Sequence, residues 1–299
     1  MNFDLSRRGV LAGTVAAALS VVPAASAAAA SPRSDARARL RDLETSYDGR
    51  IGAFALDTAT GATVTYRAHE RFPLLSTFKA LAAAAILRKA RRCDPGLLDR
   101  LIRWTAADIL PNSPITAQHV DTGLTVAQLC EAAITVSDNT AGNMLLRQLG
   151  GPPGVTRFAG ELGDPVTRLD RTETDLNIWS PGQLSDTTAP AAVGRDLAAV
   201  TVGRALVAED QARLIGWLRG NLTGGARIRA GLPPTWTVGD KTGSGPTYGS
   251  ANDIAIAWPP SAAPLILAVY TNRNAADAAF DNHVIATTAT ILAQALGKL

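Results

Sequence analysis

The stretch Ser76-Thr77-Phe78-Lys79, followed by the alanine-rich run Ala80–Leu87, decides how the rest of the sequence is interpreted. Residues three positions apart lie on one face of a helix, so Ser76 and Lys79 are predicted to be neighbours. The residues after Lys79 are apolar almost all round, which is typical of a buried helix. At the start of such a helix the backbone N–H groups are unpaired and the dipole favours negative charge. A serine there is suited to act as a nucleophile, with the lysine amine handling its proton.

A simpler interpretation of these residues stays open at this point. In it, Ser76 is an exposed helix cap and Lys79 is a solvated charge in the first helical turn. The pattern S-x-x-K occurs by chance in many chains, so the choice between the two interpretations depends on motifs elsewhere.

Composition and charge restrict the class of protein. The 299 residues are 46% hydrophobic and 18% charged, which is ordinary for a globular enzyme with one large domain or two lobes. The formal net charge is +3, and arginines are scattered among acidic residues instead of forming a basic run. Nucleic acid is therefore not expected as a partner.

Residues 1–30 have the order of a secretory signal. Ser6–Leu11 contains a twin-arginine pattern, an apolar segment runs from Gly9 to Val22, and small residues end at Ala25–Ala27. The apolar part is too short to span a bilayer permanently. The pattern predicts an exported protein, periplasmic or extracellular, with no stable membrane anchor.

The cysteines and histidines match no metal or redox motif. Cys93 and Cys130 are far apart in the sequence. A disulfide is possible in an exported protein, but the apolar helical pattern around Cys130 favours a buried free thiol. His69, His119 and His283 are widely separated, so neither a metal nor another cofactor is expected.

Hydrophobic periodicity and turn residues predict the order of the secondary structure. Helices are expected at 37–47, after Ser76, after a Thr125/Gln128 capping box, at about 140–149, twice before Gly220, and at 284–295; strands are expected at 51–56, 63–66, 236–241, 253–258 and 265–271, and a compact loop at 171–186.

Two groups of strands thus flank a long helical block. They most economically form one antiparallel sheet covered by the N- and C-terminal helices, an α/β (α+β) fold with an inserted all-helical lobe. The predicted domains are residues 31–70 with 220–299, forming a discontinuous α/β domain, and residues 71–219, forming the helical domain. An active site is expected in the cleft between them.

Four motifs occur in order along the chain: Ser76-x-x-Lys79, Ser137-Asp138-Asn139, Glu173-x-x-Leu176-Asn177 and Lys241-Thr242-Gly243. The first, second and fourth occur together in serine β-lactamases and penicillin-binding proteins. From about Asp35 to the C-terminus, the chain resembles a class A serine β-lactamase. The resemblance implies the serine β-lactamase/penicillin-binding-protein fold and hydrolysis of the β-lactam ring of penicillins and cephalosporins, which gives antibiotic resistance.

The resemblance also implies roles for individual residues. Ser76 resembles the acylated nucleophile and Lys79 the amine of its proton relay. Ser137 is similar to the hydroxyl that passes a proton to the β-lactam nitrogen. Asn139 is similar to the amide that holds the substrate's side-chain carbonyl.

A second group of residues resembles the family's substrate-binding strand. Lys241, with Thr242, Gly243 and Ser244, looks like the segment that binds the substrate carboxylate. The backbone N–H groups of Ser76 and Ser244 are similar to the family's oxyanion hole, in which each donor is typically worth ~10²–10³ in rate.

Glu173 separates a hydrolase from its relatives. It resembles the carboxylate that activates the deacylating water, with Asn177 orienting that water, whereas penicillin-binding proteins lack this loop motif. Whether Glu173 or Lys79 deprotonates Ser76 during acylation is left open. The family counterparts of Arg171 and Asp186 form an ion pair that closes this segment into an Ω-loop.

The sequence departs from the family pattern at several positions. Thr174 follows Glu173 where the family commonly has a cis proline, so a cis non-proline peptide is expected there. Asn112 aligns with an aromatic residue at the mouth of the cleft. Ala251 stands where many members carry a carboxylate-binding arginine, and Arg227 is the expected substitute, the alternative being a surface arginine beside Arg229.

Three other functions fit parts of the pattern. A D,D-peptidase acting on peptidoglycan or a non-hydrolytic β-lactam sensor would form the acyl-enzyme and retain it. An esterase would need neither Asn139 nor the Lys241-Thr242-Gly243 segment, because an uncharged ester requires no carboxylate anchor. The expected partners are small-molecule β-lactams, and the expected state is a monomer.

Overall fold

The computed structural model describes Met1 and residues 32–299, and the predicted export signal lies outside these residues. The helices are α1 (Pro32–Tyr47), α2 (Phe78–Arg92), α3 (Val126–Thr135), α4 (Asn139–Gln148), α5 (Pro153–Leu162), α6 (Pro190–Thr201), α7 (Ala208–Arg219) and α8 (Asn282–Ala295). The strands are β1 (Gly49–Asp57), β2 (Thr63–Tyr66), β3 (Phe72–Pro73), β4 (Leu101–Ile102), β5 (Leu124–Thr125), β6 (Thr187–Thr188), β7 (Thr237–Ser244), β8 (Ala251–Trp258) and β9 (Leu265–Arg273).

The long strands form a five-stranded antiparallel sheet in the order β2-β1-β9-β8-β7. In this order the N-terminal strands and the C-terminal strands, which are separated in the sequence by the helical block, meet where β1 pairs with β9. The pairing runs from Gly49 opposite Arg273 to Asp57 opposite Leu265. Two short ladders, β3 with β6 and β4 with β5, lie outside this sheet. The expected antiparallel sheet is therefore confirmed.

Successive side chains of a strand point to opposite faces of the sheet, so the hydrophobic core has two parts, one on each face. One face, which includes Ile51 and Leu267, packs with the terminal helices α1 and α8 in one hydrophobic cluster. The other face, which includes Phe54 and Ile256, packs with α2 and the helices around it in a second cluster. The expected covering by terminal helices is confirmed. From residue 32 onward the described chain packs as one compact unit, and the division at residues 70/71 and 219/220 stays a prediction.

Most sequence-predicted elements occur with shifted ends. The strand predicted to end at Lys241 continues to Ser244, because Gly243 and Ser244 stay in register with Asn252 and Ala251 on β8. The expected capping box at Thr125 and Gln128 begins α3. The helix α5 had not been predicted.

Both cysteines are free thiols. Cys130 is a buried free thiol, as expected, and Cys93 is free and exposed. None of the helices in the described part of the chain has the length and hydropathy that crossing a bilayer requires.

Candidate active site

Ser76 lies in a single 3-10 turn, Leu75–Thr77, that leads directly into α2. The Nζ of Lys79 lies 3.0 Å from the Oγ of Ser76, as their helical spacing predicts. Ser76 is 8% exposed and Lys79 is 0% exposed, so the interpretation as an exposed cap and a solvated charge is wrong. A lysine buried this completely needs polar partners, since an unpaired buried charge is costly.

Those partners come mainly from the Ser137-Asp138-Asn139 turn between α3 and α4. Lys79 Nζ donates to the main-chain oxygen of Ser137 at 2.8 Å and to Oδ1 of Asn139 at 2.7 Å. Asp138 is the N-cap of α4 and accepts from the N–H of Ala141, as short polar residues between two helices commonly do. Ser137 has a positive φ of 59°, a conformation that is uncommon outside glycine.

Glu173 reaches the same lysine from the loop 171–186. Its Oε1 lies 2.9 Å from Lys79 Nζ and 3.2 Å from Ser76 Oγ. Its Oε2 accepts from Nδ2 of Asn177 at 2.5 Å. Both side chains of the Lys79–Glu173 ion pair are fully buried. A carboxylate, an ammonium group and a hydroxyl therefore converge within hydrogen-bonding distance of one another.

The loop that carries Glu173 is closed at its base. Nε of Arg171 donates to Oδ2 of Asp186 at 2.6 Å, and Oδ1 of Asp186 accepts the N–H groups of Asp170 and Arg171. The expected ion pair is thus present, and the peptide bond between Glu173 and Thr174 is cis, as expected.

Strand β7 forms the opposite wall of the site. Lys241 is 0% exposed, and its Nζ donates to Ser137 Oγ at 3.0 Å. A β-carbon on Gly243 would lie 3.1 Å from the backbone nitrogen of Ser76, so glycine lets this strand approach the serine closely. Thr242 is hydrogen-bonded through its hydroxyl to Thr223.

Arg227 lies behind the exposed end of β7. The residue is 5% exposed, so the alternative that it is a surface arginine is wrong. Its guanidinium donates to the main-chain oxygens of Gly243 and Asn252, each at 2.7 Å, and to Ser244 Oγ at 2.5 Å. Arg229 instead pairs with Asp240. Ala251 lies opposite Ser244 on β8, and its methyl side chain cannot bind a carboxylate.

Burial changes the electrostatics of both lysines. It lowers the pKa of Lys79, while the neighbouring Glu173 carboxylate opposes the shift. Burial lowers the pKa of Lys241 well below its usual range, and the positive charge of Lys79 lowers it further; the carboxylates of Asp240 and Asp253 oppose this. The fraction of neutral amine at both positions is therefore larger than for a solvated lysine.

Three residues that sequence reasoning missed hold these groups in place. Asn143 accepts the N–H of Glu173 at 2.9 Å and donates to its carbonyl at 3.0 Å. Nδ2 of Asn252 donates to the carbonyl of Pro73, just before the Ser76 turn, at 2.7 Å. Gly142 faces Lys79. Two local signals existed: Asn143 is four positions after Asn139, on the same helical face, and a glycine inside a helix indicates a packing constraint.

Comparison with known proteins gives consistent matches. A model of the beta-lactamase enzyme family matches residues 35–296. Beta-lactamase AST-1 from Nocardia asteroides is 52% identical over 259 residues, covering 87% of this chain and 83% of that protein. A carbapenem-hydrolyzing beta-lactamase KPC from Klebsiella oxytoca is 48% identical over 255 residues, covering 85% and 87% of the two chains.

The fold also matches solved structures of beta-lactamases. The crystal structure of a beta-lactamase from Streptosporangium roseum matches with a TM-score of 0.88 and 64% identity, covering 89% of this chain and 99% of that one. A beta-lactamase structure from Desulfarculus baarsii matches with a TM-score of 0.87 and 51% identity, covering 89% and 98%. Since sequence and fold agree over almost all described residues, the chain belongs to the beta-lactamase enzyme family, among its class A serine members.

Proposed function

We propose that this protein hydrolyses the β-lactam ring of penicillins and cephalosporins through an acyl-enzyme on Ser76, and so gives antibiotic resistance. One observation carries the proposal: Ser76 Oγ lies 3.0 Å from the amine of Lys79 and 3.2 Å from the carboxylate of Glu173. The first group suits activation of the serine, and the second suits removal of the acyl group by water. A protein that only binds β-lactams needs the first and not the second.

In the acylation step, Ser76 Oγ forms a bond to the carbonyl carbon of the ring, and the ring C–N bond breaks. The serine proton passes to Lys79 or Glu173, both within reach of Oγ. The departing nitrogen receives the proton of Ser137. The two amines near Ser137 Oγ, Lys241 at 3.0 Å and Lys79 at 3.4 Å, favour proton movement through that hydroxyl.

The negative oxygen that forms during acylation needs hydrogen-bond donors. The backbone N–H groups of Ser76 and Ser244 are the proposed donors, because Gly243 allows β7 to lie against the Ser76 turn. Fixed donors of this kind stabilise the transition state without reorganisation, and each typically contributes ~10²–10³ in rate.

The substrate is held by its carboxylate and its side-chain amide. Lys241 and the hydroxyls of Thr242 and Ser244 are the proposed carboxylate ligands, with Arg227 supplying positive charge behind Ser244. Asn139 is the proposed ligand of the side-chain carbonyl. An ester without a carboxylate would leave this cationic wall unused, which disfavours the esterase alternative.

Deacylation requires a water molecule that attacks the ester carbon. Glu173 is the proposed base that takes a proton from this water, and Asn177, 2.5 Å from Oε2 of Glu173, is placed to orient it. The new C–O bond forms, the ester bond to Ser76 breaks, and the serine oxygen regains a proton. Without the carboxylate, the acyl-enzyme should persist.

A chromogenic cephalosporin tests the proposal directly. The wild-type protein should turn over many equivalents, whereas Glu173→Ala should stop after one and carry a covalent adduct on Ser76, detectable by mass spectrometry. Glu161→Ala is the control, since the Glu161 side chain is 60% exposed in an ion pair with Arg88. A wild-type protein that forms the adduct and never releases product would instead be a D,D-peptidase or a β-lactam sensor.

We also infer that the protein is exported through a twin-arginine signal and acts as a monomer. The residues that support export, Arg7 and Arg8 with the apolar segment after them, lie outside the described residues. Changing both arginines to lysine should retain the precursor inside the cell, and sedimentation of the mature chain should give the monomer mass.

A further inference from the structure

A cleft of about 200 Å³, lined by no residue of the Ser76 site, lies where α6 meets the segment that follows α5. Its lining includes the exposed side chains of His69 and Arg195. It also includes two acidic residues that are almost fully buried, Asp164 at 6% and Asp196 at 2% exposure. Buried acidic residues normally have a basic partner or several N–H donors, so this pair requires an explanation.

The carboxyl groups of Asp164 and Asp196 line the same cleft and lie close enough for Asp164 to raise the pKa of Asp196. Oδ2 of Asp164 and Oδ2 of Asp196 are both buried, and among the described residues neither has an N–H or O–H donor as partner. Two ionised carboxylates have no proton with which to bond, and their charges repel when water is excluded. The contact is therefore favourable when one of the two groups is protonated.

The second oxygen of Asp164 holds the start of the Ω-loop. Oδ1 accepts the N–H groups of Val166 at 2.6 Å and Thr167 at 3.1 Å. The next residue, Arg168, donates its N–H to the carbonyl of Thr187 at 3.0 Å. Residues 166–168 and 187–188, here called the neck, are the two chain segments that enter and leave the loop.

The neck is connected to both reacting groups of the proposed active site. Arg71 Nη1 donates to the carbonyl of Val166 at 2.7 Å and to Thr187 Oγ1 at 2.9 Å. The chain from Arg71 continues through β3, which pairs with β6, to the turn that holds Ser76. On its other side, the neck continues to the Arg171–Asp186 ion pair, and Glu173 follows two residues after Arg171.

We propose that Asp164 and Asp196 share one proton, and that this hydrogen bond is a positioning contact that fastens α6 to the neck of the Ω-loop. In this contact Asp196 is fixed on α6. Asp164 accepts the backbone N–H groups of Val166 and Thr167, so the shared proton links α6 to the neck. The proposal concerns stability and loop position, so it does not rest on the proposed function.

The electrostatics of the cleft support the geometry. Burial and, after it, the neighbouring Asp164 carboxylate together raise the pKa of Asp196 to about 9. Other charged or titratable groups face the pair from the elements packed around it: His69 and Arg195 in the cleft, Arg71 at the neck, and Tyr270 on β9, whose pKa is raised by burial and, more weakly, by Asp196.

The pH dependence follows from linkage. An unfolded aspartate releases its proton near pH 4, whereas the folded pair keeps it until about pH 9. Between these values the folded state binds more protons than the unfolded state, so this pair makes stability fall as pH rises, and its contribution is constant above about pH 9. Asp196→Asn supplies an N–H donor to Asp164 at every pH and should remove this loss.

The test compares the Tm of wild type and Asp196→Asn between about pH 5 and pH 9. The advantage of Asp196→Asn should grow with pH, by on the order of 3 °C per pH unit. Asp99→Asn, at an exposed aspartate, is the control that removes a charge without changing the pair. A His69→Gln background in both proteins removes the titration of the histidine in the cleft.

Two further measurements keep the result unambiguous. Asp164→Asn, which donates to Asp196 instead, should flatten the same curve if Asp196→Asn folds poorly. Infrared spectra at neutral pH should contain a protonated carboxyl band in wild type that Asp196→Asn lacks. Parallel Tm curves for wild type and both variants, or the absence of that band, would overturn the shared proton.

Discussion

A β-carbon built on Gly142 would stand 2.9 Å from Cε of Lys79. Non-bonded carbon atoms normally stay about 3.5–4.0 Å apart, so α4 passes α2 at a distance that leaves no room for a side chain. The glycine lies inside a helix, where it costs roughly 0.5–1 kcal/mol relative to alanine. That cost is offset by the space that Lys79 needs to reach Ser76 and Glu173.

The first prediction concerns this contact. Gly142→Ala should displace the amine of Lys79 and lower kcat/KM for a chromogenic cephalosporin by roughly 10- to 100-fold, because small misplacements of reacting groups are costly. Gly160→Ala is the matched control, since a β-carbon at Gly160 in α5 meets no atom within 4 Å. Full activity in Gly142→Ala would show that the position of Lys79 tolerates the shift.

The second prediction concerns the closure of the Ω-loop. Asp186 is 1% exposed and accepts from Arg171 and from two backbone N–H groups. Asp186→Asn should lower the free energy of unfolding by about 1–3 kcal/mol, as expected for lost charged hydrogen bonds, and should slow deacylation more than acylation.

The control for that prediction is an exposed ion pair on the same protein. Asp94→Asn removes the partner of Arg100, whose side chain is 44% exposed, and should change stability by about 0–1 kcal/mol. Urea unfolding and single-turnover kinetics measure both effects. Equal losses in the two variants would contradict a special role for Asp186.

The third prediction concerns Arg227. Its three hydrogen bonds to Gly243, Asn252 and Ser244 fix a positive charge at the end of β7. Arg227→Ala should reduce kcat/KM for a carboxylate-bearing β-lactam by roughly 10- to 100-fold, mainly through KM, because such charge-assisted bonds are each worth about 1.5–3 kcal/mol. Arg219→Ala, at an exposed position, should leave the kinetics unchanged.

The fourth prediction concerns pH. Burial holds the pKa of Lys241 well below its usual range, so its ammonium form is lost at a lower pH than that of a solvated lysine. Attraction for the substrate carboxylate is present below this pKa and is lost as pH rises through it. The alkaline limb of kcat/KM should therefore appear below the usual lysine range, mainly through a rise in KM.

Two comparisons assign that limb. Lys241→Arg keeps its charge throughout, so the limb should move to higher pH even if the overall rate is lower. A substrate whose carboxylate is esterified should lack the limb in wild type. An unchanged limb in Lys241→Arg would assign it to another group, such as Lys79.

Local pattern accounts for much of what could be predicted. The spacing of Ser76 and Lys79, the capping box at Thr125 and the alternation in the strands depend on residues close together in the chain. Element ends were less predictable, because pairing with β8 extends β7 beyond Lys241 to Ser244. Helix α5 was missed although a proline begins it and Gly163 ends it in a left-handed conformation.

The sequence by itself therefore determined the order of the long strands and of every helix except α5, the four motifs and the family resemblance. Tertiary structure alone decided that Arg227 is buried, that Gly142 must be small, and that Asp164 meets Asp196. Each of these depends on segments that are distant in sequence and are brought together by the sheet and helix packing. Burial then sets the charge state of such groups, since the cost of an ion depends on the water and the partners around it.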